Sequence, residues 1–137
     1  MTFAGMNYLA IVIAAAAAFV FSGIYYRIVG DAWMKAIGFS KKSMAKKSMR
    51  TPLLIAAAAD LIMAWVLAGL IAHLGPGQVT LKNGLVSGAF VWLGFVATTI
   101  AVNYAFGMRK PALSVIDSGH WLGVLLIMGA IIGAFGV

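Results

Sequence analysis

Four stretches of about twenty or more mostly apolar residues follow one another along this chain, and little is left between them. The hydrocarbon core of a bilayer is ~30 Å thick and takes ~20 apolar residues in a helix. In lipid no water satisfies a bare N–H or C=O, and a helix pairs its own. The strands of a membrane β-barrel would be ~10 residues long with alternating polarity. These runs are longer and do not alternate. Composition decides the same way: 9% of the residues are charged and 64% hydrophobic, whereas a soluble domain is about 25% charged. So few charges cannot cover a surface that faces water.

The expected fold is therefore all-α and membrane-embedded. It is a single domain over residues 1–137, a four-transmembrane-helix bundle with a cytoplasmic amphipathic segment between helices 1 and 2. The spans are expected at about 7–26, 52–73, 84–106 and 111–135. Thr51 is expected to cap span two with Pro52 in its first turn, and Gly75-Pro76-Gly77 breaks that span. Asn83 is expected to cap span three, and Gly107 to stop it. The N-terminus lacks a basic leader region, so its apolar run reads as a retained first span.

Orientation follows from Lys and Arg. Segment 27–50 carries Arg27, Lys35, Lys41, Lys42, Lys46, Lys47 and Arg50, and the turn before span four carries Arg109 and Lys110. The turn between spans two and three carries only Lys82. Nine basic residues on one side against one on the other place that side in the cytoplasm and both termini outside. The net charge of +7 is concentrated between apolar runs, so a membrane is expected as its partner and nucleic acid is not.

In segment 31–50, Gly38 and Ser40 mark a division. Residues 31–37 are expected as a short helix with Trp33 at the interface, and Ser40 as the cap of a second helix through Arg50. That helix would place Met44, Ala45 and Met49 on one face. Lys42, Lys46, Lys47 and Arg50 would lie on the other, facing anionic headgroups. The plainer alternative is that these charges only fix topology and stay solvated.

With no cysteine, two histidines and three acids, neither a metal site nor a cofactor is expected. The residues left for chemistry lie in the spans. Asp60 is nine residues past Thr51, ~13 Å into the membrane. An acid there costs ~2.5–3.5 kcal/mol, and the nine Leu, Ile and Val residues of span two return about 3–5 kcal/mol. The span inserts, but Asp60 must turn from lipid. Asp117 and His120 are three apart and share a face of span four. Thr99 and Asn103 are four apart on span three.

Together Asp60, Thr99, Asn103, Asp117 and His120 form an expected intramembrane polar cluster in the cytoplasmic half, provided their faces converge. A structural reading stands beside it for each: interhelical hydrogen bonds for the acids and Asn103, and backbone bonds for the threonines. Tyr25, Tyr26, Trp33 and Tyr104 read as interfacial belt anchors, and Trp92 and Trp121 as packing residues. Gly84/Gly88, Gly119/Gly123 and Gly129/Gly133, with Ala97/Ala101/Ala105, provide small faces for close helix approach. They serve within the chain or in a homo-oligomer.

The ordered set Asn7-Tyr8-Leu9-Ala10, Tyr25-Tyr26, Gly30-Asp31-Ala32-Trp33-Met34, Gly94-Phe95-Val96-Ala97-Thr98-Thr99, Asn103-Tyr104, Ile116-Asp117-Ser118-Gly119-His120-Trp121-Leu122 and Met128-Gly129-Ala130 spans nearly the whole chain. It resembles the "domain of unknown function 1761" family of small bacterial membrane proteins. The chain departs from that family's pattern at Tyr25-Tyr26-Arg27-Ile28, where a Trp-Tyr-Ser-Pro run is usual. It departs again at His120, where an aromatic such as tyrosine is common. The resemblance implies a bacterial inner-membrane protein and no particular activity.

Three functions compete. The first is a small transporter-like or ion-binding protein using Asp60, with Asp117 and His120 as a relay. The second is a non-catalytic accessory, assembly or lipid-binding protein. The third, an enzyme acting on lipids with His120 as general base, lacks a nucleophile and a metal set. The chain is accordingly not expected to be an enzyme.

Overall fold

A computed structural model describes residues 5–136. Its elements are α1 (Tyr8–Ile37), α2 (Lys41–Ala45), α3 (Arg50–Ala72), α4 (Leu81–Val91), a π-helical segment (Trp92–Ala97), α5 (Thr98–Phe106) and α6 (Pro111–Phe135). No strand occurs among the described residues. The segments α4, π and α5 form one continuous rod, so four helices among the described residues are long and apolar enough to cross a membrane. The outermost terminal residues lie outside the described region.

Local chemistry sets the ends. The Asn7 side chain caps α1 by accepting from the Ala10 N–H at 3.0 Å. The helix does not stop where the span is expected to end, at Tyr26: α1 continues to Ile37, and residues 31–37 are its last turns rather than a separate helix. Polarity ends a hydrophobic run, but a helix ends at a breaker. That breaker is Gly38, whose φ of 86° is left-handed and whose N–H bonds back to Met34. Thirty residues make a rod of ~45 Å, so one end of α1 overhangs a ~30 Å hydrocarbon layer.

Ser40 does cap α2, in a reciprocal box with Ser43, yet α2 stops at Ala45 and does not reach Arg50. Two further caps are corrected. Helix α3 starts at Arg50 with Thr51 inside its first turn, and its N-cap Met49 makes no side-chain bond. Thr80 rather than Asn83 caps α4. Helix α6 begins at Pro111 and ends at Phe135, as expected.

Helix α6 is the centre of the bundle, with α1 against one side and α4 against another, and α3 lies against α1. Pairings along the seams run in opposite senses, Tyr25 with Gly119 and Phe21 with Gly123, then Gly84 with Gly129 and Gly88 with Leu125. Both seams are therefore antiparallel. The glycines do the work that the sequence assigned to small faces. A Cβ on Gly84 or Gly129 would enter the other residue's backbone carbonyl, and one on Gly133 would meet the Thr80 carbonyl. In lipid, where apolar surfaces gain nothing by leaving solvent, this close approach and its dispersion contacts hold helices together. By contrast the third rod is the least buried of the four, and its α5 portion buries no residue.

Candidate functional site

Five side-chain bonds cross between helices at one level of the bundle, near the end that carries most of the basic residues. Tyr26 of α1 donates its hydroxyl to Asp117 Oδ1 at 2.7 Å, and Tyr104 of α5 donates to Oδ2 at 2.7 Å. Tyr25 donates to the Ile116 carbonyl at 2.7 Å, and Trp92 Nε1 donates to the Ser118 carbonyl at 2.7 Å. Gly119 makes room for the Tyr25 hydroxyl, which a Cβ there would approach at 3.1 Å. The fifth bond joins Ser22 Oγ and His120 Nε2 at 2.6 Å. Asp117 and His120 are buried.

Helical period explains the composition of this girdle. On α1, Ser22, Tyr25 and Tyr26 are three and four apart and share the face turned to α6. On the third rod an unbroken α-helix would fail. At 100° per residue, Tyr104 would sit about 160° around from Gly88, on the wrong side, while Thr99 and Asn103 would sit at about 20° and 60°. The π-helical segment Trp92–Ala97 absorbs one extra residue and turns everything beyond it back by about 100°. Tyr104 comes round to about 60°, beside Trp92 at about 40°, and reaches Asp117. The same rotation moves Thr99 and Asn103 to about −80° and −40°, away from the direction that Trp92 and Tyr104 share. Both are exposed, and Thr99 bonds to the Phe95 carbonyl as Thr98 does to that of Gly94. The expected convergence thus holds for Asp117 and His120 and fails for Thr99 and Asn103.

Asp60 occupies a third position. It is 2% exposed and shares the inward face of α3 with Ala64, Leu67, Ala68 and Ile71. No described residue gives it a hydrogen bond or an ion pair. Ala68 and Ala72 of α3 line one cleft with Ile132 and Gly136 at the far end of the bundle, which puts α3 and α6 in register. Counted back from there, Asp60 lies about 6 Å nearer that end than His120. It forms a separate polar point one turn from the girdle, not a member of it.

The protonation pattern at His120 follows from donor counting. The Ser22 hydroxyl has one proton, and it points to the Ala18 carbonyl at 3.0 Å. Nε2 must then be the donor to Ser22 Oγ, which leaves Nδ1 as a bare lone pair. Nδ1 is buried and has no partner. The ring sits among Phe21, Tyr25, Tyr26 and Trp121, with centroids 4.6–6.2 Å away. Tyr26 and Tyr104, read from sequence as belt anchors, are ligands of a buried carboxylate. Sequence spacing links neither to Asp117, and only the fold does. Among the described residues no three His, Cys, Asp or Glu side chains group as metal ligands would.

A family model described as "protein of unknown function (DUF1761)" matches residues 9–133. The chain belongs to the DUF1761 family. The match takes in every residue of the girdle and Asp60. No curated protein and no solved structure matches the chain. The DUF1761 assignment therefore brings no borrowed activity, and the chemistry must be read from these side chains.

Tyr104→Phe should cost about 1.5–3 kcal/mol, the worth of a hydrogen bond to a charged group. Deleting Phe95 should restore α-helical register and turn Tyr104 away. In that background Tyr104→Phe should cost nothing further. Unfolding of the four proteins in detergent measures the cycle. An undiminished Tyr104→Phe penalty after the deletion would show that the extra residue does not place Tyr104.

Proposed function

We propose that this chain is a small, non-enzymatic, transporter-like protein of the bacterial inner membrane that binds a proton or small cation within the bundle. One observation carries the reading. Asp60 and Asp117 are both buried in membrane-capable helices, and no described residue offers either a cationic partner. Asp117 has only neutral hydroxyl donors, and Asp60 has none. A buried charge without a counter-charge is costly, and a captured proton or cation removes that cost. The lone pair on His120 Nδ1, one turn from Asp117, is a second acceptor for a proton. With the basic end in the cytoplasm, the girdle faces the cytoplasmic half and Asp60 stands one turn further in, so the two make steps along one path.

A non-catalytic accessory role is the second reading, favoured by the five cross-helix bonds, which serve equally as a lock. In either case the exposed Ala101 and Ala105 on α5 suit association of copies into a homo-oligomer. Proton uptake during a pH titration of purified protein separates the readings. A group titrating between about pH 5 and 8, lost in Asp60→Asn or altered in His120→Ala, is the expected result. Identical curves for the three proteins would leave the structural lock as the role of these residues.

A further inference from the structure

The turn between α1 and α3 holds a second feature, independent of the girdle. Ser40, Lys42, Ser43, Lys46 and Lys47 line an open pocket of ≈ 420 Å³. We propose that this pocket is a binding site for the phosphate headgroup of an anionic phospholipid, held by Lys42, Lys46 and Lys47 with the Ser40 hydroxyl.

Charge accounting points there first. The chain has three acidic residues. Asp31 pairs with Lys41 at 3.2 Å, while Asp60 and Asp117 are buried within α3 and α6. Lys42, Lys46 and Lys47 have no acidic side chain to neutralise them, and they converge on one concavity. Lys42 and Lys46 are four apart, and Lys47 is steered by the Phe39 ring, with its Nζ 5.2 Å from the centroid.

The hydroxyls supply the second observation. Ser43 Oγ donates to the Ser40 carbonyl, whereas Ser40 Oγ accepts from the Ser43 N–H. Among the described residues no protein group takes the Ser40 proton, so the exposed hydroxyl is available to donate to a bound anion. One free hydroxyl and three ammonium groups match the acceptor oxygens of a phosphate mono-anion or diester.

Location selects a lipid over free phosphate. The pocket lies on the link between the end of α1 and the start of α3, and Lys46 and Lys47 come only a few residues before the apolar run of α3 begins, which keeps the pocket within reach of headgroups. Phe39 and Met49 flank it, 40% and 44% exposed, and each can dip toward the acyl boundary while the lysines stay among phosphates. Arg50, which sequence periodicity grouped with these lysines, belongs to the first turn of α3 and does not line the pocket.

The test titrates the full chain in dodecyl maltoside with dihexanoyl phosphatidylglycerol, using dihexanoyl phosphatidylcholine and inorganic phosphate as comparisons. Binding is read by calorimetry. Wild type should bind phosphatidylglycerol saturably. The variant K42Q/K46Q/K47Q should bind it on the order of tenfold to a hundredfold more weakly. The variant K35Q/K82Q/K110Q removes the same charge elsewhere and should stay close to wild type. Equal weakening in both triple variants, or no saturable binding by wild type, would overturn the site. Inorganic phosphate binding as tightly as the lipid would overturn the lipid assignment.

Discussion

Replacing Gly129 with valine should destabilise the bundle by at least about 3 kcal/mol, the upper part of the range for overpacking. The obstacle is backbone. A Cβ on Gly129 meets the Gly84 carbonyl, and one on Gly84 meets that of Gly129. A carbonyl in a helix cannot rotate aside as a side chain does, so α4 and α6 must separate along the seam. Separation also forfeits the dispersion contacts that hold the seam in lipid. Gly69→Ala and Gly23→Ala are the controls. At Gly69 an added Cβ meets only Met6 Sδ at 4.0 Å, and at Gly23 it meets nothing within 4 Å. Both should lie within about 1 kcal/mol of wild type, since removing a helical glycine is worth about that much. Unfolding in mixed micelles measures all three. A Gly129→Val protein as stable as Gly23→Ala would mean that α4 and α6 do not meet at this pair.

That contrast shows what could be read from sequence and what could not. Four apolar runs of membrane-spanning length specify four helices, because lipid allows such a segment no other backbone arrangement. Four-residue glycine spacing marks a face for close approach, but it does not choose between α1, α4 or another copy as the neighbour. The structure assigns Gly84 and Gly129 to each other and Gly123 to Phe21.

The Asp117–His120 pair was legible because both residues lie on one helix at a fixed spacing. Tyr26 and Tyr104 were not, and the reason differs for each. Tyr26 stands where the first span is expected to end, which is a belt position, yet α1 runs on to Ile37, so the end of the apolar run does not mark the helix end. Tyr104 depended on the π-helical segment. One extra residue between Trp92 and Ala97 exchanges the face of Thr99 and Asn103 for that of Tyr104. A periodic count along an assumed α-helix cannot see it.

Asp60 gives the most discriminating substitution. Asp60→Leu should stabilise the isolated protein by about 1–3 kcal/mol, because it removes a buried polar group without a partner and substitutes an apolar one of similar shape. Insertion of α3 should become easier as well, by about 3 kcal/mol on the scale that separates aspartate from leucine at a helix centre. A more stable protein that has lost proton uptake and flux in liposomes is the expected outcome, and it would identify Asp60 as a site kept at the expense of stability. A less stable Asp60→Leu protein would mean that the carboxylate has a partner in the native assembly. Asp60 is 2% exposed within one chain, so that partner would have to reach into the bundle, as a bound cation would.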